Sequence, residues 1–187
     1  MEGRVSAPGD PDWDEARQAW NLAVDQRPAA VAIPESVADV VAIVAFARDR
    51  GLLVTAQGTG HNADAYDTLG NTILVKTHEL RGVEIDVDER LARCAAGTLW
   101  IEVTQPASEH GLAPLAGSSP DVGVVGYVLG GGLSWLARKH GLAADNVRAI
   151  ELVTAAGDVV RATKDDHTDL FWALRGGGGN YGIVTAV

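Results

Sequence analysis

Leu52-Leu53-Val54-Thr55-Ala56-Gln57-Gly58-Thr59-Gly60-His61-Asn62 passes from a strand into a glycine turn and ends on a histidine. Leu52–Thr55 is short, apolar and partly β-branched, the composition of a buried strand. Gly58 and Gly60 bracket Thr59. Glycine admits φ > 0 and lets a second backbone or a ligand come close. Successive backbone N–H groups in such a turn can form a concave anion site. His61 stands just past that cradle, so a phosphate-bearing ligand held there would have an imidazole beside it.

Working outward, Ala30–Ile33 reads as a strand and Ser36 as the N-cap of a helix with Val37, Val40, Val41 and Val44 on one face. Arg48 and Arg50 suit the end of that helix and Gly51 closes it. Strand, helix and the strand 52–55 make a βαβ unit with parallel strands. Before it, Trp13, Ala16, Trp20 and Val24 recur at helical spacing up to Pro28, with both tryptophans expected as core anchors. Residues 1–12 read as a mobile arm.

After the turn, 64–71 is polar and turn-like, and Thr72–Lys76 is a strand. Gly82–Val87 and Leu91–Ala95 read as a hairpin. Thr98 is placed to cap a helix toward His110-Gly111, kinked or interrupted by Pro106. Residues 112–132 read as a long glycine-rich loop, then Leu133–Lys139 as a short helix. Asn146–Thr154 and Asp158–Thr163 form a second hairpin across Ala155-Ala156-Gly157. A helix from Asp165 or Asp166 reaches Leu174, and Gly176–Gly179 breaks it. Tyr181–Val187 reads as a strand. A sequence that ends inside a strand is expected to belong to a longer protein.

The chain has 187 residues and a net charge of −10, which argues against nucleic-acid binding through a broad basic surface. No apolar run approaches the ~18 residues of a membrane span. The first twelve residues carry no apolar signal region, so the expectation is a cytoplasmic protein without a membrane partner. Cys94 is the only cysteine, which excludes an internal disulfide and a multi-cysteine metal site; its place in a hairpin strand reads as a small buried apolar residue. No metal site is expected.

One rival reading is a nicotinamide site. Gly58–Ala63 fits G-x-G-x-x-A after a strand, and Glu79 lies about twenty residues on, where a ribose-binding acid would sit. That fingerprint must open a helix so that the pyrophosphate meets its N-terminus. Residues 64–71 have no apolar helical period, and the helix precedes the strand. The nicotinamide reading is set aside.

Three motifs in sequence carry a resemblance. The first is Gln57-Gly58-Thr59-Gly60-His61-Asn62. The second runs Ser118-Ser119-Pro120-Asp121-Val122-Gly123-Val124-Val125-Gly126-Tyr127-Val128-Leu129-Gly130-Gly131-Gly132, continuing through Arg138–Asn146. The third is Asp169-Leu170-Phe171-Trp172-Ala173-Leu174-Arg175-Gly176-Gly177-Gly178-Gly179-Asn180-Tyr181-Gly182-Ile183-Val184. In this order they resemble the FAD-binding domain of the vanillyl-alcohol-oxidase (p-cresol methylhydroxylase, PCMH-type) superfamily. Within it the chain is most similar to the berberine-bridge-enzyme-like oxidases, including the bacterial hydroxynicotine oxidases.

The resemblance implies an α+β fold of two lobes with FAD between them. The first lobe is a small α/β sheet, taken as residues 13–111. The second, taken as 112–187, is a larger, mostly antiparallel sheet with helices. A substrate domain follows in relatives and lies outside this sequence. The cofactor-binding residues implied are Gln57, Gly58, Thr59, Gly60, His61, Asn62, Ser118, Ser119, Val122, Gly123, Gly126, Tyr127, Gly182 and Ile183.

In many relatives the histidine at the position of His61 is bonded to the flavin 8α-methyl. Some carry a second link from a cysteine that Ser119 replaces here, and serine cannot stand in for a thiolate. The expectation is FAD held by one covalent link through His61. Tyr127 stands where several doubly linked relatives have a histidine, and Gln57 where an arginine is commoner.

The activity implied is that of a flavin-dependent oxidase or dehydrogenase. It would take a hydride from an alcohol, sugar or amine C–H bond, with a small-molecule substrate and oxygen as partners; no catalytic base is assigned. Two alternatives stand beside it. One is a non-catalytic FAD-binding module, the other a plain α+β interaction domain whose glycines are structural.

Overall fold

The computed structural model describes residues 1–66 and 69–187. The polar turn expected over 64–71 is therefore seen in part: Ala63–Ala65 forms a single 3-10 turn, while Asp67 and Thr68 lie outside the described residues. Among the described residues between the glycine turn and β4 there is no α-helix, so the geometry a nicotinamide fingerprint needs is not seen there.

The first sheet holds β1 (Arg4–Ser6), β2 (Ala30–Ile33), β3 (Leu53–Gln57) and β4 (Thr72–Lys76), in the order β1-β2-β4-β3. Strands β2 and β3 are parallel, as the βαβ reading expects, but β4 lies between them and pairs in parallel with both. The insertion follows from burial, because Thr72–Val75 is buried throughout. A parallel sheet covered on both faces places its most apolar strand at the centre. Val31, Ile33 and Leu74 face α1 (Trp13–Ala16) on one side. Ala32, Ile73 and Val75 face α2 (Val37–Arg50) on the other. Ser36 caps α2, its Oγ accepting from Asp39 N–H at 3.1 Å, and Gly51 ends it at φ 66°. Such a cap stabilises a helix by ~1 kcal/mol.

Two N-terminal expectations are corrected. Residues 1–12 are not a free arm: β1 pairs antiparallel with β2, and buried Asp39 accepts from the N–H groups of Glu2 and Gly3. Burial pushes the Asp39 carboxyl up, but these backbone donors and that of Glu35 outweigh it and leave it below the usual range. The helix expected from Trp13 to Val24 stops at Ala16. Arg17 folds the next segment back on itself by pairing with Asp14 and Asp25 and donating to Gln26 O at 2.9 Å. The N–H of Trp20 goes to Thr59 O at 3.0 Å instead of to its own helix.

The second sheet contains β7 (Ala149–Val153), β8 (Val159–Thr163) and β9 (Ile183–Ala186), antiparallel in the order β8-β7-β9. The hairpin of β5 (Val83–Asp86) and β6 (Leu91–Cys94) joins its free edge: Cys94 and Val187 exchange N–H···O bonds of 2.7 and 2.9 Å, and Ala96 N–H donates to Thr185 O. These bonds dock the two-stranded hairpin against β9 at the edge of the second sheet.

Helices α3 (Trp100–Glu109), α4 (Val124–Leu129), α5 (Ala137–His140) and α6 (Thr168–Leu174) complete the fold. Pro106 sits inside α3 without ending it, and the N-cap is Leu99, whose N–H is held by Glu102 at 2.7 Å. The long loop expected over 112–132 contains α4, a glycine-bearing helix formed because Val125 and Leu129 bury against Ile150, Leu152 and Phe171, and Val128 against Trp100 and Val103. Val153 of β7 and Ile183 of β9 pack with Val40, Ile43, Val44 and Ala47 of α2, so one core runs through both sheets. Among the described residues no helix is long and apolar enough to cross a membrane.

Candidate cofactor site

A cleft of ≈ 990 Å³ lies between the sheets, at the upper end of small-molecule and cofactor sites. One wall is the C-terminal end of β3 and the turn 57–62. The other is built from Val122-Gly123, the α4 residues Val125, Gly126, Tyr127 and Leu129, and the approach to β9 from Gly178 to Val184. Among the described lining residues Arg48 is the only permanent cation, and none is an Asp or Glu. An anionic ligand would be received by backbone N–H groups and neutral side chains.

Two glycines fix the shape of this cleft. Gly60 has φ 88°, and a Cβ there would stand 2.8 Å from Ala19 Cβ. Gly182 has φ 150°, and a Cβ there would stand 2.5 Å from Val153 O. At both, the backbone conformation and the close neighbour exclude a side chain.

His61 is held from several directions. Its Nδ1 lies 2.7 Å from Thr59 Oγ1. The Trp20 indole stacks on the imidazole with centroids 4.0 Å apart and planes 16° from parallel. Trp20 Nε1–H donates to Asp121 Oδ2 at 3.0 Å, and Ser119 Oγ–H to Asp121 Oδ1 at 2.7 Å. Asp121 Oδ1 is 3.9 Å from His61 Nε2, within charge interaction but beyond a hydrogen bond. The Ser119 hydroxyl, then Trp20 and His61, hold the Asp121 carboxyl below its usual range.

Among the described residues, three that line the cleft carry buried polar atoms without protein partners: both amide atoms of Gln57, His61 Nε2 and the Tyr127 hydroxyl, the last packed beside Gly117. An unsatisfied buried polar group costs about 1–3 kcal/mol. Three residues of one cleft in that condition fit a ligand rich in hydrogen-bonding groups, and burial raises the Tyr127 phenol so that it stays a donor.

The residues named from sequence are brought together with two exceptions. All except Ser118 and Ser119 line the cleft. Ser118 is exposed, and the Ser119 hydroxyl turns to Asp121. Cys94 is buried in β6, away from the cleft, and burial pushes its thiol up to about 11. Trp20 and Asp121 did not stand out in the sequence. Trp20 was masked by a helical spacing that the chain does not follow. Asp121 sat within the second motif with no pattern marking it.

A charge-poor cleft between a parallel and an antiparallel sheet, with glycine backbone on both walls, defines a two-lobed α+β ligand-binding domain. Residues 28–163 match the family model described as FAD binding domain. The chain belongs to this FAD-binding family, of PCMH and berberine-bridge-enzyme type, and FAD is its cofactor. It is 36% identical over 187 residues to (R)-6-hydroxynicotine oxidase of Paenarthrobacter nicotinovorans, covering 100% of this chain and 41% of that protein. The crystal structure of 6-hydroxy-D-nicotine oxidase from Arthrobacter nicotinovorans superposes with a TM-score of 0.92 at 36% identity, over 100% of this chain and 41% of the other. Glucooligosaccharide oxidase from Acremonium strictum, described with a 6-S-cysteinyl, 8α-N1-histidyl FAD, superposes at 0.88 with 33% identity over 98% of this chain and 39% of the other. The chain thus spans about two fifths of the length of these relatives.

Proposed function

We propose that this chain is the cofactor-binding part of a flavin-dependent oxidase, and that its FAD is joined to His61 alone. In this reading Gln57, Gly58, Thr59, Gly60 and Asn62 receive the pyrophosphate side of the cofactor. Val122, Gly123, Gly126, Tyr127, Gly182 and Ile183 form the facing wall. Bound FAD supplies two-electron chemistry, taking a hydride from an alcohol, sugar or amine C–H bond and passing the electrons to oxygen. The lobes on either side are the parallel sheet and the antiparallel sheet with its β5–β6 hairpin.

The observation that carries the link is the state of His61: an imidazole lining the cleft, with its Nε2 buried and unpartnered. A neutral imidazole is a nucleophile near physiological pH. With FAD bound, the His61 imidazole would give up its N–H and the flavin 8α-methyl one C–H to form the C–N bond, and the two protons and two electrons released would reduce oxygen to peroxide. A second, cysteinyl link is ruled out of this reading, since Ser119 holds that position and Cys94 is buried elsewhere.

The test is acid denaturation after loading with FAD. Wild-type protein retains flavin in the precipitate and His61→Ala releases it; release by both removes the covalent claim while leaving FAD binding intact. A second reading concerns the chain by itself, as a FAD-binding module without turnover. The absence of any carboxylate among the described cleft-lining residues favours it. Loaded chain that is reduced by dithionite but by none of a panel of alcohols, sugars and amines supports that reading.

A further inference from the structure

We infer that Trp20 and Asp121 are positioning residues for His61: the indole clamps one face of the imidazole, and its N–H anchors the carboxylate that faces the ring edge. This rests on the reading of His61 as the flavin-linked residue. Neither Trp20 nor Asp121 lines the cleft. Trp20 covers one face of the ring and Asp121 approaches its Nε2 edge at 3.9 Å, both from outside the cleft lining, where they can set the imidazole's orientation.

The geometry closes on itself. Trp20 is 57% exposed, so burial does not hold it in place. Both of its hydrogen-bonding groups at this site are used, the main-chain N–H on Thr59 O at 3.0 Å and Nε1–H on Asp121 Oδ2 at 3.0 Å. Thr59 in turn engages His61 Nδ1 through its hydroxyl. Asp121 is fixed on its other oxygen by Ser119. Three segments far apart in sequence, around residues 20, 60 and 120, therefore meet at one imidazole. The exposed Trp135 and Trp172 make no such set of contacts with a site residue. An imidazole that could rotate about its side-chain bonds would present its nitrogens to the cleft only part of the time; stacking and the Thr59 contact leave one arrangement. Reactions that depend on orientation lose on the order of a hundredfold for a displacement of ~1 Å.

The test uses the full chain, prepared without flavin and then given FAD, with Trp20→Ala, Trp20→Phe and Asp121→Asn as variants. Two readouts are taken. One is the rate at which acid-stable flavin accumulates. The other is the proton NMR shift of the His61 ring in flavin-free protein, where a stacked indole displaces the ring protons upfield. Trp20→Ala is expected to slow accumulation about tenfold or more and to abolish the upfield shift, with unchanged circular dichroism. Trp20→Phe keeps a stacking ring and is expected to keep most of the shift, with a few-fold loss of rate. Asp121→Asn keeps an acceptor for Trp20 and removes the charge, and is expected to slow accumulation while leaving the stacking shift in place. Trp20→Ala that links flavin at the wild-type rate, or whose His61 protons do not move, overturns the proposal. If wild type holds no acid-stable flavin, the linkage reading falls, and the NMR shifts still decide whether Trp20 positions His61.

Discussion

The two walls of the cleft are built in different ways. The wall at 57–62 presents side chains: Gln57, Thr59 and His61, backed by Trp20 and Asp121. The wall at 122–130 and 178–184 presents glycine backbone and mostly apolar side chains. The first wall is suited to chemistry on the cofactor and the second to its shape. A large planar ligand needs both, since apolar contact supplies affinity and a few placed polar groups fix orientation.

The sharpest way to break this division is to fill the glycines. Gly182→Ala puts a Cβ 2.5 Å from a main-chain oxygen, and Gly60→Ala puts one 2.8 Å from a side-chain methyl. Strained backbone costs of order 1–3 kcal/mol. The expected result is a lower urea midpoint for both and loss of FAD binding, with Gly182→Ala the worse because a strand carbonyl yields less than a methyl. Equal effects would mean that the second wall is not held by backbone shape.

Cys94 gives the next effect. Its thiol sits at about 11 against an ordinary 9.0 because burial disfavours the thiolate. The unfolded chain therefore gives up this proton first as pH rises. The stability it contributes is complete below pH 9 and is lost between 9 and 11, by about 3 kcal/mol. Cys94→Ala should flatten the fall in urea midpoint over that window. The native thiol should also resist iodoacetamide at pH 8 and react once unfolded, as the contrast between a buried cysteine and a flavin-linked one requires.

Tyr127→Phe separates stability from binding. Removing a buried, unpartnered hydroxyl should leave the flavin-free protein as stable or up to about 1 kcal/mol more stable. The same change should weaken FAD binding by about three- to tenfold, one lost hydrogen bond. Thermal melts and a flavin-fluorescence titration read the two. Weaker stability with unchanged FAD affinity would place the hydroxyl outside the site. The smallest effect expected is that of salt. With Arg48 as the only permanent cation among the described lining residues, raising salt should change FAD affinity by less than about threefold.

Much of this was legible in the sequence wherever local chemistry decides structure. Ser36, the valine face of α2 and Gly51 delimit that helix without help from the rest of the chain. The β7–β8 hairpin follows from its turn, and the glycine turn with His61 follows from its residues. What could not be read depends on distant partners. The insertion of β4 between β2 and β3, the docking of β1 and the transfer of the β5–β6 hairpin to β9 are choices among strands that look alike locally. Trp20 is the clearest case. Its spacing from Trp13 and Ala16 says helix, but Arg17 turns the chain and the tryptophan pairs with residues forty and a hundred positions away.

The place of β9 has a consequence for the order of events in folding. Residues 183–186 lie between β7 and β6, and they also contribute Ile183 to the core shared with α2. A chain emerging from the ribosome can assemble its parallel sheet once residue 76 is free. The antiparallel sheet waits for residues 183–186, which must find partners some thirty and ninety positions earlier. Such long-range pairing is slow to form. The turn that carries His61 can thus form before its facing wall, so capture of the flavin waits for the pairing of β9.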